Sequence, residues 1–464
     1  MASSHLPTRL TPALKHRLMQ LCREIIQTPS SNGDGTVRLA QWVGSGLRKL
    51  GFEVTFQRAV FHDVPQLNLI ARKGPKTGRA LLFNTHLDTV ATEAKAWKKT
   101  GGDPFSPVIL NGRLYGLGAA DTKLALACQW VALESLGDFE LKRPLILTGT
   151  YGEERGLVGV QQLIRHPWIK PCDVINSEPT ELKPVTGNYG FRVYRFEGRG
   201  RKIQTGGAWL FEVLFTGKAT HSAYPEHGSS AILQALDWIG KQESSVEILS
   251  VEGGLAPNIV PPSCTVRLLA SSRRLLSPEK WKGRVVSIQK AVDSSFYTGV
   301  KPFLLRLAKQ FRGKKKLQES FNWGMVRFHE GRLEAFMDHR FAPGKEPKAS
   351  FKQWQAVAKE ANRNGWGNFR LRIEKENPAW LGRNGGPFLK SVQDVLKAIG
   401  KPVKPAMKLG CTEAGFFAKK GCRAVIFGPG AAYGNAHQPD ECVPVDQLEK
   451  AVIFYRELIQ RLCR

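Results

Sequence analysis

The sequence lacks the features that mark membrane, secreted and nucleic-acid-binding proteins. No apolar run reaches the roughly 18 residues that a membrane-spanning helix needs. The N-terminal segment has no continuous apolar stretch of the signal-peptide type. Zinc-finger, helix-turn-helix and RNA-binding signatures are also missing. We therefore expect a soluble protein that contacts neither a membrane nor nucleic acid as its main function.

The eight cysteines are scattered and form no CxxC pair. Such a pattern is typical of reduced thiols rather than of a disulfide framework. It predicts a cytoplasmic protein.

The formal net charge of +28 is partly clustered, around residues 192–202 and 312–316. Nucleic-acid or membrane contact is one interpretation of such clusters. Because no recognition motif accompanies the charge, we interpret it mainly as a solvated basic surface that also attracts an anionic substrate.

With 464 residues, the chain is too long for one ordinary core, and strand-like apolar runs alternate with helical segments. This alternation predicts an α/β fold with a mainly parallel central sheet covered by helices. From about residue 185 the pattern changes to a second, α+β unit inserted in the first. We place the boundaries at residues 1–184, 185–376 and 377–464, and we regard the basic stretches near 195–206 and 275–325 as insertions.

Five short polar motifs, each at the end of an apolar run, follow one another in a fixed order. They are Thr85-His86-Leu87-Asp88, Gly118-Ala119-Ala120-Asp121-Thr122-Lys123, Gly152-Glu153-Glu154, Asn176-Ser177-Glu178-Pro179-Thr180 and Ala436-His437-Gln438-Pro439-Asp440-Glu441. Sites in open α/β sheets collect beyond the carboxyl ends of strands. Imidazole and carboxylate ligands together suit zinc or a similar divalent metal. Each motif alone is weak evidence, but the set predicts a site for two divalent ions.

The spacing also suggests separate tasks for neighbouring residues. Asp88, two residues after His86, would hold that imidazole in its metal-binding tautomer. Asp121 could bridge two ions. Of the adjacent Glu153 and Glu154, one can bind metal while the other takes a proton from bound water.

The ordered motifs resemble those of the co-catalytic di-zinc peptidase and deacylase family. This family includes acetylornithine deacetylase, succinyl-diaminopimelate desuccinylase, aminoacylase and glutamate carboxypeptidase, and the resemblance covers nearly the whole chain. It implies a zinc-peptidase-type catalytic domain with an inserted lid and dimerisation domain. It further implies that His86, Asp121 and Glu178 hold one zinc ion, and that Asp121, Glu154 and His437 hold the other.

The resemblance implies further roles. Glu153 is the general base, and the Asp121-Thr122 peptide is cis. His221 in the lid stabilises the oxyanion in the active site of a partner subunit. The residues implied to contact substrate are Asn258, Arg340, Gly410 and Thr412.

We therefore expect a cytoplasmic metal-dependent hydrolase that cleaves the amide of an N-acyl amino acid bearing a free carboxylate, by means of a metal-bridging hydroxide. Zinc is the expected metal, with cobalt as an alternative, and a homodimer through the lid domain is the expected assembly. A dipeptidase or carboxypeptidase of the same family is the first alternative. The second is a basic polyanion-binding protein on a retired hydrolase fold. The loop at Thr412-Glu413 departs from the Thr-Ser-Asp often seen in desuccinylases.

Overall fold

The computed structural model describes residues 9–31, 33–138, 140–204, 209–220, 222, 225–241, 246–270, 283–290, 296–311, 319–345, 348–382 and 385–464. The chain divides into two compact units. Unit 1 comprises Met1–Asn188 and Trp380–Arg464, and unit 2 comprises Tyr189–Ala379. The two divisions follow residues 188 and 379, where the sequence pattern placed them after 184 and 376.

In chain order, the helices are α1 Pro12–Ile26, α2 Val37–Lys49, α3 Leu124–Leu136, α4 Val158–Leu163, α5 Ala231–Lys241, α6 Lys301–Phe311, α7 Lys348–Arg363, α8 Pro387–Ala398, α9 Ala414–Lys419 and α10 Val445–Cys463. The strands are β1 Glu53–Phe61, β2 Val64–Lys73, β3 Leu81–His86, β4 Val108–Leu110, β5 Arg113–Tyr115, β6 Leu145–Thr150, β7 Asp173–Asn176, β8 Val185–Asn188, β9 Gly190–Gln204, β10 Trp209–Thr216, β11 Val246–Gly253, β12 Ser263–Ala270, β13 Gly283–Lys290, β14 Phe296–Gly299, β15 Glu319–His329, β16 Arg332–Phe341, β17 Gly367–Asn377, β18 Trp380–Leu381, β19 Ala406–Lys408, β20 Arg423–Ile426 and β21 Cys442–Pro444.

Unit 1 is built on one sheet with the strand order β1-β2-β6-β3-β7-β20-β8-β18, and β19 also pairs with β8. Its centre is parallel, since β3 runs parallel to β6 and β7, and β7 parallel to β20. Leu81 and Phe83 pack in a core with α1, α2, α3, α8 and α10, whereas Leu82 packs in a separate core with α4 and α9. Both faces of the sheet are therefore covered, which explains why the central strands are continuously apolar. The predicted fold class of unit 1 is confirmed.

Helix ends in unit 1 follow local sequence signals. Thr11 caps α1, because its side-chain Oγ1 accepts a hydrogen bond of 3.3 Å from the backbone N–H of Leu14, and Pro12 occupies the first turn. Helix α2 ends just before Gly51, whose φ of +80° favours glycine. Helix α3 begins at Leu124, after the loop that carries Asp121.

Unit 2 is an antiparallel sheet in the order β13-β10-β12-β11-β15-β16-β9-β14, with β17 also paired to β9. One face packs with residues of α5, α6 and α7, including Tyr194 and Phe196 of β9. The basic stretches that the sequence indicated as insertions form regular secondary structure wherever they are described. Residues 195–204 belong to the long strand β9, and the described part of 275–325 contains β13, β14, α6 and the start of β15.

Among the described residues, every helix is too short or too polar to cross a membrane.

Asp173, at the start of β7, is fully buried and contacts three arginines of unit 1. Its carboxylate accepts hydrogen bonds from Arg79 at 3.0 Å, from Arg143 at 2.8 Å and from both Nε and Nη2 of Arg423 at 2.6 and 2.7 Å. Burial raises the pKa of Asp173, but the three guanidinium groups lower it more, so that the net pKa lies below its usual value. The charged carboxylate is therefore the form that stabilises the fold.

We expect Asp173→Asn to lower the free energy of unfolding by about 2 kcal/mol at neutral pH, because the buried carboxylate loses its charge-assisted hydrogen bonds to three partly exposed arginines. Since the folded-state pKa is lowered, the stabilisation by Asp173 is present above its ordinary pKa. It is lost as the pH falls through the lower folded-state value. Urea denaturation at several pH values measures both effects. Glu181→Gln, which removes an exposed carboxylate paired with the half-exposed Lys183, is the control. Equal effects of the two substitutions would contradict the prediction.

Candidate metal centre

The site lies where three adjacent parallel strands of unit 1 end. Strand β3 ends at His86, β6 is followed by Glu153 and Glu154, and β7 is followed by Glu178. Because β6, β3 and β7 are neighbours that run in the same direction, their carboxyl ends meet at one edge of the sheet. The strand order thus brings together side chains that are up to 92 positions apart in the chain.

His86 is buried and oriented by its own strand exit. Its Nδ1–H donates a hydrogen bond of 3.0 Å to the backbone carbonyl of Asp88, whereas the nearest Asp88 carboxylate oxygen is 3.8 Å away. The sequence suggested that the Asp88 carboxylate would orient the imidazole, but the backbone carbonyl has this contact. A proton on Nδ1 leaves Nε2 free to bind a metal ion.

The Asp88 carboxylate instead holds the turn after β6. Its two oxygens accept hydrogen bonds from the backbone N–H groups of Glu153 and Glu154, each at 3.1 Å. Asp88 thereby links the two parts of the site: its backbone carbonyl binds His86, and its carboxylate binds the Glu153-Glu154 turn. This link explains why the two glutamates face the imidazole.

The loop before Asp121 is held by Glu441, whose carboxylate accepts three backbone N–H groups. These come from Ala120 at 2.7 Å, from Asp121 at 2.9 Å and from Gly118 at 3.4 Å. The Asp121-Thr122 peptide is cis, as the resemblance implied. Burial raises the pKa of Glu441 to about 7 although these hydrogen bonds lower it. In the sequence Glu441 is only the last residue of the final motif, and its spacing from Asp121 contains no signal for this contact.

Asp121 contacts both predicted histidine ligands, one with each carboxylate oxygen. Its Oδ1 is 3.0 Å from Nε2 of His86, and its Oδ2 is 3.3 Å from Nε2 of His437. Nε2 of His437 also lies 2.9 Å from Oε1 of Glu154. Two groups of three side chains could each hold a metal ion, because within each group the potential ligand atoms lie within 4.8 Å of one another. The first group is His86, Glu153 and Glu154, and the second is Asp121, Glu154 and His437.

The cluster carries more acidic than basic groups in a buried place. Burial raises the pKa of Glu153, and the neighbouring Glu178 raises it further, to well above its usual value. Burial also raises the pKa of Glu154, which the contact with His437 only partly offsets. Burial lowers the pKa of His437, but Asp121 and Glu154 raise it to about 11. Buried carboxylates that repel one another are stabilised by cations, so divalent ions fit this cluster.

Glu178 lies apart from the two sets of potential ligands. Its Oε2 forms a short ion pair with Nζ of Lys408 on β19, and its Oε1 is buried without a hydrogen-bond partner among the described residues. Burial lowers the pKa of Lys408, but Glu178 and the other carboxylates raise it above its usual value. The sequence indicated nothing about Lys408, because one lysine among many in a basic chain carries no recognisable pattern.

Comparison with known proteins identifies the family. A model of the peptidase family M20/M25/M40 matches residues 82–461, well over half of the chain. The chain belongs to this family. The resemblance inferred from the ordered motifs is thereby confirmed, as is the prediction of a hydrolase family that acts on amide bonds.

Individual relatives of this M20 protein differ in how much of the chain they match. The acetylornithine deacetylase of Myxococcus xanthus is 31% identical over 54% of this chain and 65% of its own length, which is just under two thirds. That of Photorhabdus laumondii is 24% identical over 96% and 97% of the two chains. Among solved structures, the aminoacylhistidine dipeptidase of Vibrio alginolyticus has a TM-score of 0.68 at 18% identity, covering 97% of both chains. This likeness confirms the fold.

Two of the residues that the M20 resemblance implied to contact substrate, Gly410 and Thr412, lie in one loop of unit 1. Thr412 is fully buried, and its hydroxyl donates a hydrogen bond of 3.2 Å to the side chain of Asn188. Gly410 is partly exposed in the same loop. The next residue after Thr412, Glu413, accepts hydrogen bonds from Asn84 at 2.5 Å and from Thr150 at 2.9 Å, and burial raises its pKa to about 7. Glu413 therefore contacts β3, the strand that carries His86, and its neighbour β6.

The remaining predicted residues lie in unit 2 of this M20 protein. Asn258 is exposed, and its backbone carbonyl accepts a hydrogen bond of 2.9 Å from Ser222. Arg340 is 7% exposed, donates to Asp338 at 2.9 Å and stacks over the ring of Phe191 at 4.5 Å. His221 lies outside the described residues. The roles of these three residues stay predictions.

Proposed function

We propose that this protein is a zinc-dependent amidohydrolase that removes the acyl group from an N-acyl amino acid. The observation that carries the proposal is the carboxylate of Asp121, which contacts His86 with one oxygen and His437 with the other. A carboxylate in this position suits two ions that share one ligand. The mixed nitrogen and oxygen donors favour zinc among the divalent metals.

The proposed ligand sets share Asp121. His86, Asp121 and Glu178 would hold one ion, and Asp121, Glu154 and His437 would hold the other. The hydrogen bond from Nδ1 of His86 to the Asp88 carbonyl supports the first set, because it leaves Nε2 as the donor atom. The 2.9 Å contact between His437 and Glu154 supports the second. Two such ions would lower the pKa of a bound water and polarise the carbonyl of the substrate amide.

Glu153 is the proposed general base. Its backbone is fixed by Asp88, and its carboxylate is close enough to His86 and Glu154 to reach the same water. The carboxylate would take a proton from the attacking water and pass it to the leaving amine nitrogen. Burial raises the pKa of this carboxyl, which favours its holding a proton between the two transfers.

The substrate class is tested by hydrolysis assays on the zinc- or cobalt-loaded protein. Acetyl-, succinyl- and formyl-amino acids, with N-acetylornithine among them, are compared with dipeptides. The sequence relatives named as acetylornithine deacetylases favour the acetylated substrates. Hydrolysis of dipeptides alone would replace the deacylase assignment by a dipeptidase. The likeness to a dipeptidase over 97% of the chain is the observation that makes this the second candidate.

We also propose that the protein acts in the cytoplasm as a homodimer through unit 2. Reduced thiols support the location, since none of the eight cysteines is in a disulfide. Sedimentation equilibrium of the metal-loaded protein measures the assembly, and a monomer at all concentrations would refute the dimer.

Lys408 competes with metal for Glu178, which yields a test of the first ligand set. We expect Lys408→Met to tighten the binding of one of the two ions by about tenfold or more, because the ion no longer has to displace the ammonium group from Glu178. Equilibrium dialysis followed by metal analysis measures both affinities. Lys404→Met removes the same charge from an exposed position of the same segment and should leave both affinities unchanged. Identical results for the two variants would remove Glu178 from the ligand set.

A further inference from the structure

The sheet of unit 2 has one face that does not pack with α5, α6 and α7, and this face is rich in arginine. Alternate residues of β9 point to it: Arg195, Glu197 and Arg199 are exposed or half-buried, while Tyr194 and Phe196 between them are buried. The same alternation places the arginines at positions 327, 332, 370 and 372 of β15, β16 and β17 on this face. The face therefore presents six arginines along four neighbouring strands.

These arginines form two groups that differ in their partners. Arg195, Arg370 and Arg372 all contact the carboxylate of Glu197, at 3.3, 2.5 and 2.8 Å. Arg195 also forms a short ion pair with Glu334. The charge of this first group is largely balanced within the sheet.

The second group consists of Arg199, Arg327 and Arg332, and we call it the arginine triad. In the described part of the chain, no carboxylate oxygen lies within 4.0 Å of any of these three guanidinium groups. Arg332 of β16 is directly opposite Arg199 of β9, and Arg327 of β15 is diagonal to Arg332, since it is opposite Glu334 two residues further along. Diagonal neighbours are about 7–8 Å apart and opposite ones about 5 Å. The triad is thus a compact set of three guanidinium groups that form no ion pair with the described residues.

A cavity of about 750 Å³ lies over the triad. All three arginines line it, together with Arg370, His329 and the two acidic residues Glu197 and Glu334. This volume is typical of small-molecule sites. The described residues that line it include no phenylalanine, tyrosine or tryptophan on which a nucleic-acid base could stack.

We propose that the arginine triad is a binding site for a small polyanion with adjacent phosphate groups, of the triphosphate class. Guanidinium groups bind phosphate oxygens through two parallel N–H donors, and their charge is retained at any physiological pH. The triad extends over two strand spacings, roughly 10 Å, which matches a chain of three phosphates rather than a single one. The site belongs to unit 2 and uses none of the residues assigned to the metal centre.

Charge confinement favours a small anion over nucleic acid. A nucleic-acid strand needs a continuous basic track, because its affinity is the sum of many phosphate contacts. On this face the track is interrupted, since Glu197 balances the neighbouring arginines. The three guanidinium groups that lack an ion pair among the described residues all line the cavity, whose acidic residues Glu197 and Glu334 are held by other arginines.

The test is isothermal titration calorimetry of the metal-loaded full chain with sodium tripolyphosphate at low ionic strength. We expect saturable binding that weakens as salt is added. The triple variant Arg199→Gln, Arg327→Gln, Arg332→Gln should bind at least about 30-fold more weakly, because three charge-assisted contacts are lost. Metal analysis after the titration ensures that the heat does not come from removal of the ions, and amide hydrolysis confirms that both proteins are folded.

A matched control removes three positive charges elsewhere. Arg58→Gln, Arg165→Gln and Arg284→Gln affect exposed arginines outside the cavity and should leave the affinity unchanged. Absence of binding by the unchanged protein would overturn the proposal, as would an equal loss in both triple variants. A fluorescent single-stranded oligonucleotide is the last arm. Binding of it that is tighter than that of tripolyphosphate, and that is lost with the triad, would identify nucleic acid as the ligand instead.

Discussion

Glu153→Gln is expected to keep both metal ions and to lower kcat for amide hydrolysis by about 10³-fold or more. The substitution preserves the shape of the side chain but removes the carboxylate that accepts the proton of the attacking water. The backbone N–H of residue 153 still binds Asp88, so that the turn after β6 should keep its conformation. Steady-state kinetics and metal analysis of the same preparation measure the two parts of the prediction.

The neighbouring glutamate offers a matched control. Glu154→Gln makes the same chemical change one residue further on, where the carboxylate contacts His437. We expect this variant to lose one ion, and to lose activity for that reason. Glu153 lies close enough to His86 and Glu154 to bind a metal ion itself, so the experiment must decide which of the two glutamates is the ligand. Loss of metal from Glu153→Gln, with full occupancy in Glu154→Gln, would exchange the two assignments.

Asp121→Asn is expected to weaken the binding of both ions by more than about 100-fold, and activity should fall in proportion. An amide carries no charge, and only one of its two terminal atoms can bind a metal. Because the two carboxylate oxygens face different histidines, a single substitution affects both positions. Competition for metal with a chelator of known affinity measures the two dissociation constants.

Asp440→Asn is the control for the Asp121 variant. Asp440 lies in the same motif as His437, and its carboxylate accepts a hydrogen bond of 2.8 Å from the backbone of Lys99 at the surface. We expect this variant to retain both ions. Weakening of only one ion in Asp121→Asn would mean that Asp121 does not bridge, and the shared-carboxylate proposal would then be withdrawn.

The sequence predicts those site residues that directly follow an apolar strand pattern. An apolar run such as Leu81-Leu82-Phe83 predicts a central strand, and His86 follows directly at its end. The same reasoning places Glu153 after β6 and Glu178 after β7. Strand ends that share an edge bring these residues together, so the neighbourhood of the ligands follows from the α/β pattern alone.

The contacts that the sequence does not predict are long-range ones with no periodic signal. Glu441 holds the loop before Asp121 over a distance of 320 positions, and Lys408 reaches Glu178 over 230. The orientation of Asp88 is unpredictable for another reason. A residue can orient a neighbour with its carbonyl or with its side chain, and only the backbone path decides which.

The sequence of the long strand β9 contains an alternating pattern that is easily overlooked because the segment is highly charged. Its charged residues alternate with uncharged ones in the segment Tyr194-Arg195-Phe196-Glu197-Gly198-Arg199. Alternation of this kind is typical of a strand with one solvated face. The high local charge hides this alternation, and the structure shows that the stretch is part of a regular strand.

The placement of ligands on neighbouring strands has a consequence for redesign. Main-chain hydrogen bonds between parallel strands set their separation at about 4.8 Å, whatever side chains they carry. The spacing of His86, Glu154 and Glu178 is therefore inherited from the backbone lattice, whereas Asp121 and His437 come from loops. A redesign of the proposed metal centre would exchange donor types at the three strand-end positions and adjust distances only at the two loop positions.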